Sequence, residues 1–213
     1  MRVSTKTALA AFALAALAGC ETMSREDCLY ADWGRIGFDD GAAGRDLGAL
    51  ARRREQCRKF NGLKSDDAAY LAGRADGLAR YCTPGNGYRE GRDGARYEGV
   101  CPAESAGSFL AAYNEGREVY LALERYRRIE GDIFELERAL AELRDRSRRL
   151  RESLVADAEM SREERADIAA RLGRIDDQRE AIRRRLGFLA SELAQASADL
   201  AVIRARAAGL YAG

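Results

Sequence analysis

The spacing of apolar residues over the second half of the chain constrains its fold most. From Tyr126 they run Tyr126, Ile129, Ile133, Leu136, Leu140, Leu143, Ser147, Leu150 and Leu154. The steps alternate between three and four residues, which is the a/d seam of a heptad. A second run follows through Ile168, Leu172, Ile175, Arg179, Ile182, Leu186, Leu189, Leu193, Ala196, Leu200, Ile203, Ala207 and Leu210. Between them Ser161-Arg162-Glu163-Glu164 reads as a capping box, so a new helix starts there. Two long helices joined by a short turn near 157–162 predict an antiparallel hairpin over 105–213. In that register Leu154 sits beside Ile168, Leu140 beside Ile182, Tyr126 beside Ala196 and Val119 beside Ile203. The second arm reaches roughly 70 Å at the helical rise. Ser147 and Arg179 are polar members of the seam, readable as register devices or snorkelling side chains. A parallel coil that makes a homo-oligomer is the rival arrangement.

The beginning of the chain sets its compartment. Arg2 and Lys6 precede the apolar run Ala8 to Ala18, and Leu17-Ala18-Gly19-Cys20 follows the form of a lipobox. The run falls short of the roughly 20 residues that cross a hydrocarbon layer. Residues 1–19 therefore read as a lipoprotein signal peptide, with Cys20 as the lipidated first mature residue. Glu21, not aspartate, stands next to it, which favours the outer membrane over the inner one. Beyond Cys20 no second run reads as long enough to cross a membrane, so the lipid is the expected anchor and the polypeptide faces the periplasm.

Composition excludes several classes. Lys and Arg total 36 against 35 Asp and Glu, a formal charge of +1, which gives no drive toward nucleic acid. Histidine is absent, which removes the usual general base and the commonest metal ligand. The carboxylate neighbours Asp39-Asp40, Asp66-Asp67 and Asp176-Asp177 diverge by about 100° on a helix and cannot flank one bond. No enzyme, metal or cofactor is expected.

Residues 20–104 read as a small helical head rich in Gly and Tyr. Cys28, Cys57, Cys82 and Cys101 are an even set in an oxidising compartment, so two disulfides are expected. Their spacing lacks the short paired gaps of a zinc site. Three connectivities are open. Cys28–Cys57 with Cys82–Cys101 is favoured, because helices folding back at Gly41–Gly44 bring Cys28 and Cys57 to one end. A helix starting at Ser24 carries Leu29, Trp33, Ile36 and Asp40 at helical spacing. Asn61-Gly62 ends a second helix, and Ser65-Asp66-Asp67 caps a third that stops before Pro84. From Thr83 to Cys101 the glycines predict a loop.

One pattern recurs: Tyr70-x-x-Gly73-Arg74, Tyr88-x-x-Gly91-Arg92 and Tyr113-x-x-Gly116-Arg117, with Trp33-x-x-x-Gly37 as a degenerate copy. Small residues four apart let another backbone approach. The arginines invite pairing with Asp32, Asp39, Asp40, Asp76 or Asp93. Trp33, Tyr70, Arg74, Tyr88, Arg92, Tyr113 and Arg117 are thus either an internal ion-pair and packing set or the lining of a small-ligand or glycan site.

These residues also carry a resemblance. The order Cys28, Asp32-Trp33, Gly37, Asp40-Gly41, Gly44, Cys57 continues through Tyr70-x-x-Gly73-Arg74-x-x-Gly77-Leu78-x-x-Tyr81-Cys82-Thr83-Pro84. It goes on through Asn86-Gly87-Tyr88-x-x-Gly91-Arg92-x-Gly94, Tyr97-x-Gly99-Val100-Cys101-Pro102 and Phe109-x-x-x-Tyr113-x-x-Gly116. Over about 28–120 the chain resembles the bacterial lipoprotein family known as domain of unknown function twenty-seven ninety-nine. The resemblance implies a lipoprotein with no catalytic residues to transfer, and it supports reading all four cysteines as framework. The expected role is a non-catalytic spacer or binding module, with an envelope protein or peptidoglycan as partner.

Overall fold

The computed structural model describes residues 23–211. The signal peptide at 1–19 and the lipid site at Cys20 lie outside the described residues. Among the described residues the chain is all-helical. Its seven helices are α1 (Arg25–Tyr30), α2 (Trp33–Ala42), α3 (Gly48–Arg58), α4 (Asp67–Tyr81), α5 (Pro84–Arg92), α6 (Ala103–Ala156) and α7 (Arg162–Tyr211). They divide into two compact units, the first holding α1–α4 and the second α5–α7.

Local signals explain most helix starts. Ser24 and Asp27 form a reciprocal capping box at α1, with Asp27 N–H donating to Ser24 Oγ at 3.1 Å and Ser24 N–H to Asp27 Oδ2 at 2.8 Å. The expected helix from Ser24 through Asp40 is interrupted, however. Ala31 is extended, and the Asp32 carboxylate takes the Arg35 N–H at 2.9 Å, so α2 begins afresh. A second capping residue inside the apolar periodicity outcompetes continuation of the helix. Ala69 N–H donates to Asp66 Oδ1 at 2.9 Å at the start of α4. Ser161 and Glu164 form the capping box at α7, and α6 stops at Ala156.

The stretch after Thr83 corrects the sequence reading. It is a helix, α5, where a loop was expected. Thr83 accepts the Asn86 N–H at 3.3 Å, and Pro84 stands in the first turn, where its fixed φ suits a helix and its missing N–H costs nothing. The glycines that argued for a loop sit instead on the face that meets α6.

Each unit contains one pair of helices in backbone contact. In the first, α2 packs on α4. A Cβ added at Gly37 would collide with the Tyr70 carbonyl, one at Gly41 with the Arg74 carbonyl, and one at Gly73 with the Gly34 carbonyl. In the second, α5 packs on α6. A Cβ at Gly87 would meet the Phe109 carbonyl, and one at Gly91 the Tyr113 carbonyl. Only glycine permits such an approach.

The two pairs repeat each other position for position. Gly37, Gly41 and Gly44 correspond to Gly87, Gly91 and Gly94, while Tyr70, Arg74, Gly77 and Tyr81 correspond to Phe109, Tyr113, Gly116 and Tyr120. The first helix of each pair ends alike. Gly44 and Gly94 have positive φ, 64° and 76°, each under a tyrosine ring, and Arg45 N–H to Asp40 O is matched by Ala95 N–H to Glu90 O, both at 2.9 Å. The recurring Tyr-x-x-Gly-Arg pattern has a different register from this. Arg74 corresponds to Tyr113, so Arg74, Arg92 and Arg117 are not equivalent residues. One constant offset relates the first helices and another relates the second helices, and a search for one period merges them.

Disulfides join Cys28 to Cys57 in the first unit and Cys82 to Cys101 in the second, with Cα–Cα distances of 5.5 and 5.6 Å. Loops of this size contribute about 3–4 kcal/mol each in the chain-entropy model. Replacing Cys82 and Cys101 together by serine is therefore expected to lower the urea midpoint by an amount equivalent to about 3 kcal/mol. Chemical denaturation of the double variant against the parent checks this.

In the second unit α6 and α7 contact each other along a buried cluster of Ile129, Leu189 and Ala196, with Tyr126, Ile133, Leu136 and Leu193 packed against it. Arg206 pairs with Glu118, Arg125 with Asp199 at 3.6 Å and Arg151 with Asp176 at 3.9 Å. By length and composition α7 is also apolar enough to cross a membrane, which corrects the expectation of no such run after Cys20. Between Arg185 and Arg204 its only charges are Glu192 and Asp199. Leu189, Ala196 and Leu200 in that stretch are buried. Alanine on the remaining faces supplies the rest of the apolar content.

Candidate functional site

The most concentrated chemistry in the first unit surrounds Asp40. This carboxylate is 1% exposed. Its Oδ2 accepts the Tyr70 hydroxyl at 2.6 Å and the Arg53 guanidinium, and its Oδ1 accepts Arg45 Nη1 at 3.0 Å. Arg74, also buried, donates from Nη2 to the Arg45 carbonyl at 2.6 Å. α2 supplies the acid, α3 Arg53 and α4 Tyr70 and Arg74, so the network ties three helices and the turn after α2. Both carboxylate oxygens are engaged by internal donors, which makes Asp40 a junction of the fold and a poor candidate base.

Burial holds the Tyr70 phenol well above its ordinary range, reinforced by its hydrogen bond to Asp40 and that carboxylate's charge. The folded state therefore keeps this proton more tightly than the unfolded chain does. The stabilisation is complete below the unfolded tyrosine pKa, about 10, and is lost as pH rises toward the higher folded value. Alkaline unfolding above pH ~10 is thus expected to be steeper in the parent than in Tyr70→Phe. Parallel denaturation series at rising pH measure the difference.

Trp33 and Tyr70 belong to the hydrophobic core around the Cys28–Cys57 bridge, with Leu50 and the half-buried Met23, Ile36, Phe60 and Leu63. The other candidates lie in the second unit. The Tyr113 hydroxyl donates to the Ala95 carbonyl at 2.7 Å, at the position where Arg74 bonds the Arg45 carbonyl in the first unit. Tyr97, Phe109 and Tyr113 form a ring cluster with centroids 4.9–6.3 Å apart. The Tyr97 hydroxyl accepts the Cys101 N–H at 3.0 Å. Arg92 bonds Asp93 at 3.0 Å, and Arg117 lies 4.8 Å from the centroid of the Tyr120 ring.

The seven aromatic and arginine candidates therefore do not share one set of contacts. Trp33, Tyr70 and Arg74 serve one helix pair, and Tyr88, Arg92, Tyr113 and Arg117 the other. Of the three arginines only Arg92 meets an expected aspartate. Asp32 is a helix cap, and Asp39 faces Arg35 at 4.0 Å. Sequence reasoning missed Arg45 and Arg53, whose only signal is helical spacing around a turn. Tyr88 and Arg92 do line a cavity of about 490 Å³, walled by Val119 and Leu123 and edged by Arg204. Among the described residues no grouping of Cys, Asp and Glu has the geometry to hold a metal ion.

These features define a class: an all-helical domain, stapled by disulfides, built from two glycine-packed helix pairs in tandem. Residues 32–118 match the family described as "Protein of unknown function (DUF2799)", and over that span the chain belongs to it. The matched span opens at the cap of α2 and closes one position beyond Arg117 in α6. It thus takes in both helix pairs and leaves the rest of α6 and all of α7 outside. The chain matches no curated protein and no solved structure.

Proposed function

We propose that this chain is a non-catalytic lipoprotein of the bacterial envelope, anchored through Cys20 and facing the periplasm, with the outer membrane favoured. In this reading the head works beside the bilayer, and residues 105–213 form an antiparallel coiled-coil hairpin that acts as a spacer or docks a protein or peptidoglycan partner. The observation that carries it is the pairing of two uninterrupted helices of 54 and 50 residues, each about 75–80 Å long. Antiparallel order is supported by the Glu118–Arg206, Arg125–Asp199 and Arg151–Asp176 pairs, where rising positions on α6 meet falling positions on α7. Growth with labelled palmitate is expected to label the protein in the membrane fraction, and Cys20→Ala to abolish the label. Crosslinking in intact envelopes, read by mass spectrometry, is expected to give α6–α7 links in that order together with links to a partner. An unlabelled protein, or one with no partner links, refutes the anchor or the docking role respectively.

The cavity beside Tyr88 and Arg92 favours a second reading, in which the second unit binds a small ligand or glycan. Arg92→Ala separates the two. Loss of ligand capture at unchanged stability supports a site, whereas lost stability supports packing.

A further inference from the structure

We propose that the groove beside Ser147 and Arg179 is an oxyanion site that takes a phosphate group, either free or at the headgroup of an anionic lipid. The starting point is an irregularity in the heptad seam. Ser147 is 1% exposed, yet its hydroxyl has no hydrogen-bond partner. A serine inside a helix normally turns its hydroxyl back onto a preceding carbonyl. Ser105, Ser108 and Ser153 on the same helix do this, at 3.3, 3.1 and 2.8 Å. Ser147 does not, and it lines an open groove of about 540 Å³.

The other polar groups around that groove are nearly all donors. Arg179 from α7 reaches in with its side chain 19% exposed; Nη1 binds Asp176 at 2.8 Å, while Nε is buried without a partner. Arg144 lines the same groove and has no carboxylate partner. Arg148 and Arg151 complete a set of four arginines against one acid, Glu152. Arg148 is held between Asp145 at 2.9 Å and Glu152 at 3.8 Å, and Arg151 lies 3.9 Å from Asp176. The unmet groups, a hydroxyl, a guanidinium Nε–H and a whole guanidinium, converge on an acceptor that the chain does not supply. A phosphate matches them, since planar guanidinium donors suit its oxygens. Val155, 86% exposed on the wall of the groove, offers an apolar lip where an acyl chain would follow a headgroup.

The test uses the full chain, its Arg179→Gln and Ser147→Ala variants, and two probes. Inorganic phosphate is titrated by calorimetry. Vesicles of phosphatidylglycerol are compared with phosphatidylcholine vesicles by co-sedimentation. Saturable phosphate binding, weakened about tenfold by Arg179→Gln and less by Ser147→Ala, supports the site with a free anion as its ligand. No response to phosphate, but a preference for phosphatidylglycerol that Arg179→Gln removes, supports it with a lipid source. Absence of both, or equal binding by parent and variants, overturns it. Ser147→Ala keeps the proposal testable, because alanine suits a helix interior and the variant should fold.

Discussion

Alanine at Gly37 is expected to be among the most damaging single substitutions in this chain, although it adds one methyl group. The added carbon would stand well inside 3.0 Å of the Tyr70 carbonyl oxygen and carbon. The obstacle is backbone on a packed helix, not the tip of a flexible side chain, so α2 and α4 must separate. Separation loosens the core that holds Trp33, Tyr70 and the Cys28–Cys57 bridge. Overpacking of this kind costs about 3 kcal/mol or more, a large share of the 5–15 kcal/mol typical of a folded domain. Gly73→Ala should behave alike, because its Cβ meets the Gly34 carbonyl from the other side. Gly131→Ala is the control. Nothing lies within 4 Å of a Cβ there, and residue 131 is exposed inside α6, so the helix should gain about 0.5–1 kcal/mol. Urea denaturation followed by circular dichroism gives all three values. If Gly37→Ala unfolds within experimental error of the parent, the close approach of α2 and α4 is wrong.

Asp40→Ala should be comparably severe for an electrostatic reason. Removing the carboxylate leaves the Tyr70 hydroxyl and the Arg53 guanidinium, whose side chain is 12% exposed, without their acceptor. Breaking one side of a buried pair costs about 3–5 kcal/mol, because the remaining charge is stranded away from water. Replacing both sides should be gentler. Asp40→Leu with Arg53→Met removes the charge together with its partner, and such exchanges are often close to neutral. The double-variant cycle is therefore expected to show strong favourable coupling between positions 40 and 53. Additive losses would mean that the network is not what holds α2, α3 and α4 together.

The duplicated helix pair gives these results a second setting. Gly91 faces the Tyr113 carbonyl as Gly41 faces that of Arg74. The ionic junction is not duplicated: the residue matching Arg74 is Tyr113, which satisfies the equivalent carbonyl with a hydroxyl at 2.7 Å. Geometry is common to the two copies and chemistry is not. Charge substitutions should therefore act mainly in the first unit, and glycine substitutions in either.

The signals that could be read from sequence were those in which the responsible atoms are neighbours along the chain. The heptads placed α6 and α7, Ser161 and Glu164 marked where the second begins, and Ser24, Asp66 and Asn61-Gly62 marked other helix ends. The cysteine pairing was readable because two helices that fold back bring their far ends together. The same local reasoning failed at α5, where Gly85, Gly87 and Gly91 looked like a loop. Glycine says only that a side chain is absent; whether the space goes to a turn or to another backbone depends on what packs there. Asp40 looked like one of several aspartates, and nothing adjacent to it announces that Tyr70 and Arg53 converge on it.

Sequence by itself thus determined that the chain is helical, where its two longest helices run and which cysteines end near one another, because periodicity, capping and chain reversal are short-range properties. Tertiary structure alone decided that two helix pairs repeat each other at backbone contact, and that one copy is centred on a buried carboxylate. It alone left a seam serine without a partner among arginines. Each of these depends on atoms far apart in sequence being brought within a few ångströms, a distance that no spacing along the chain records.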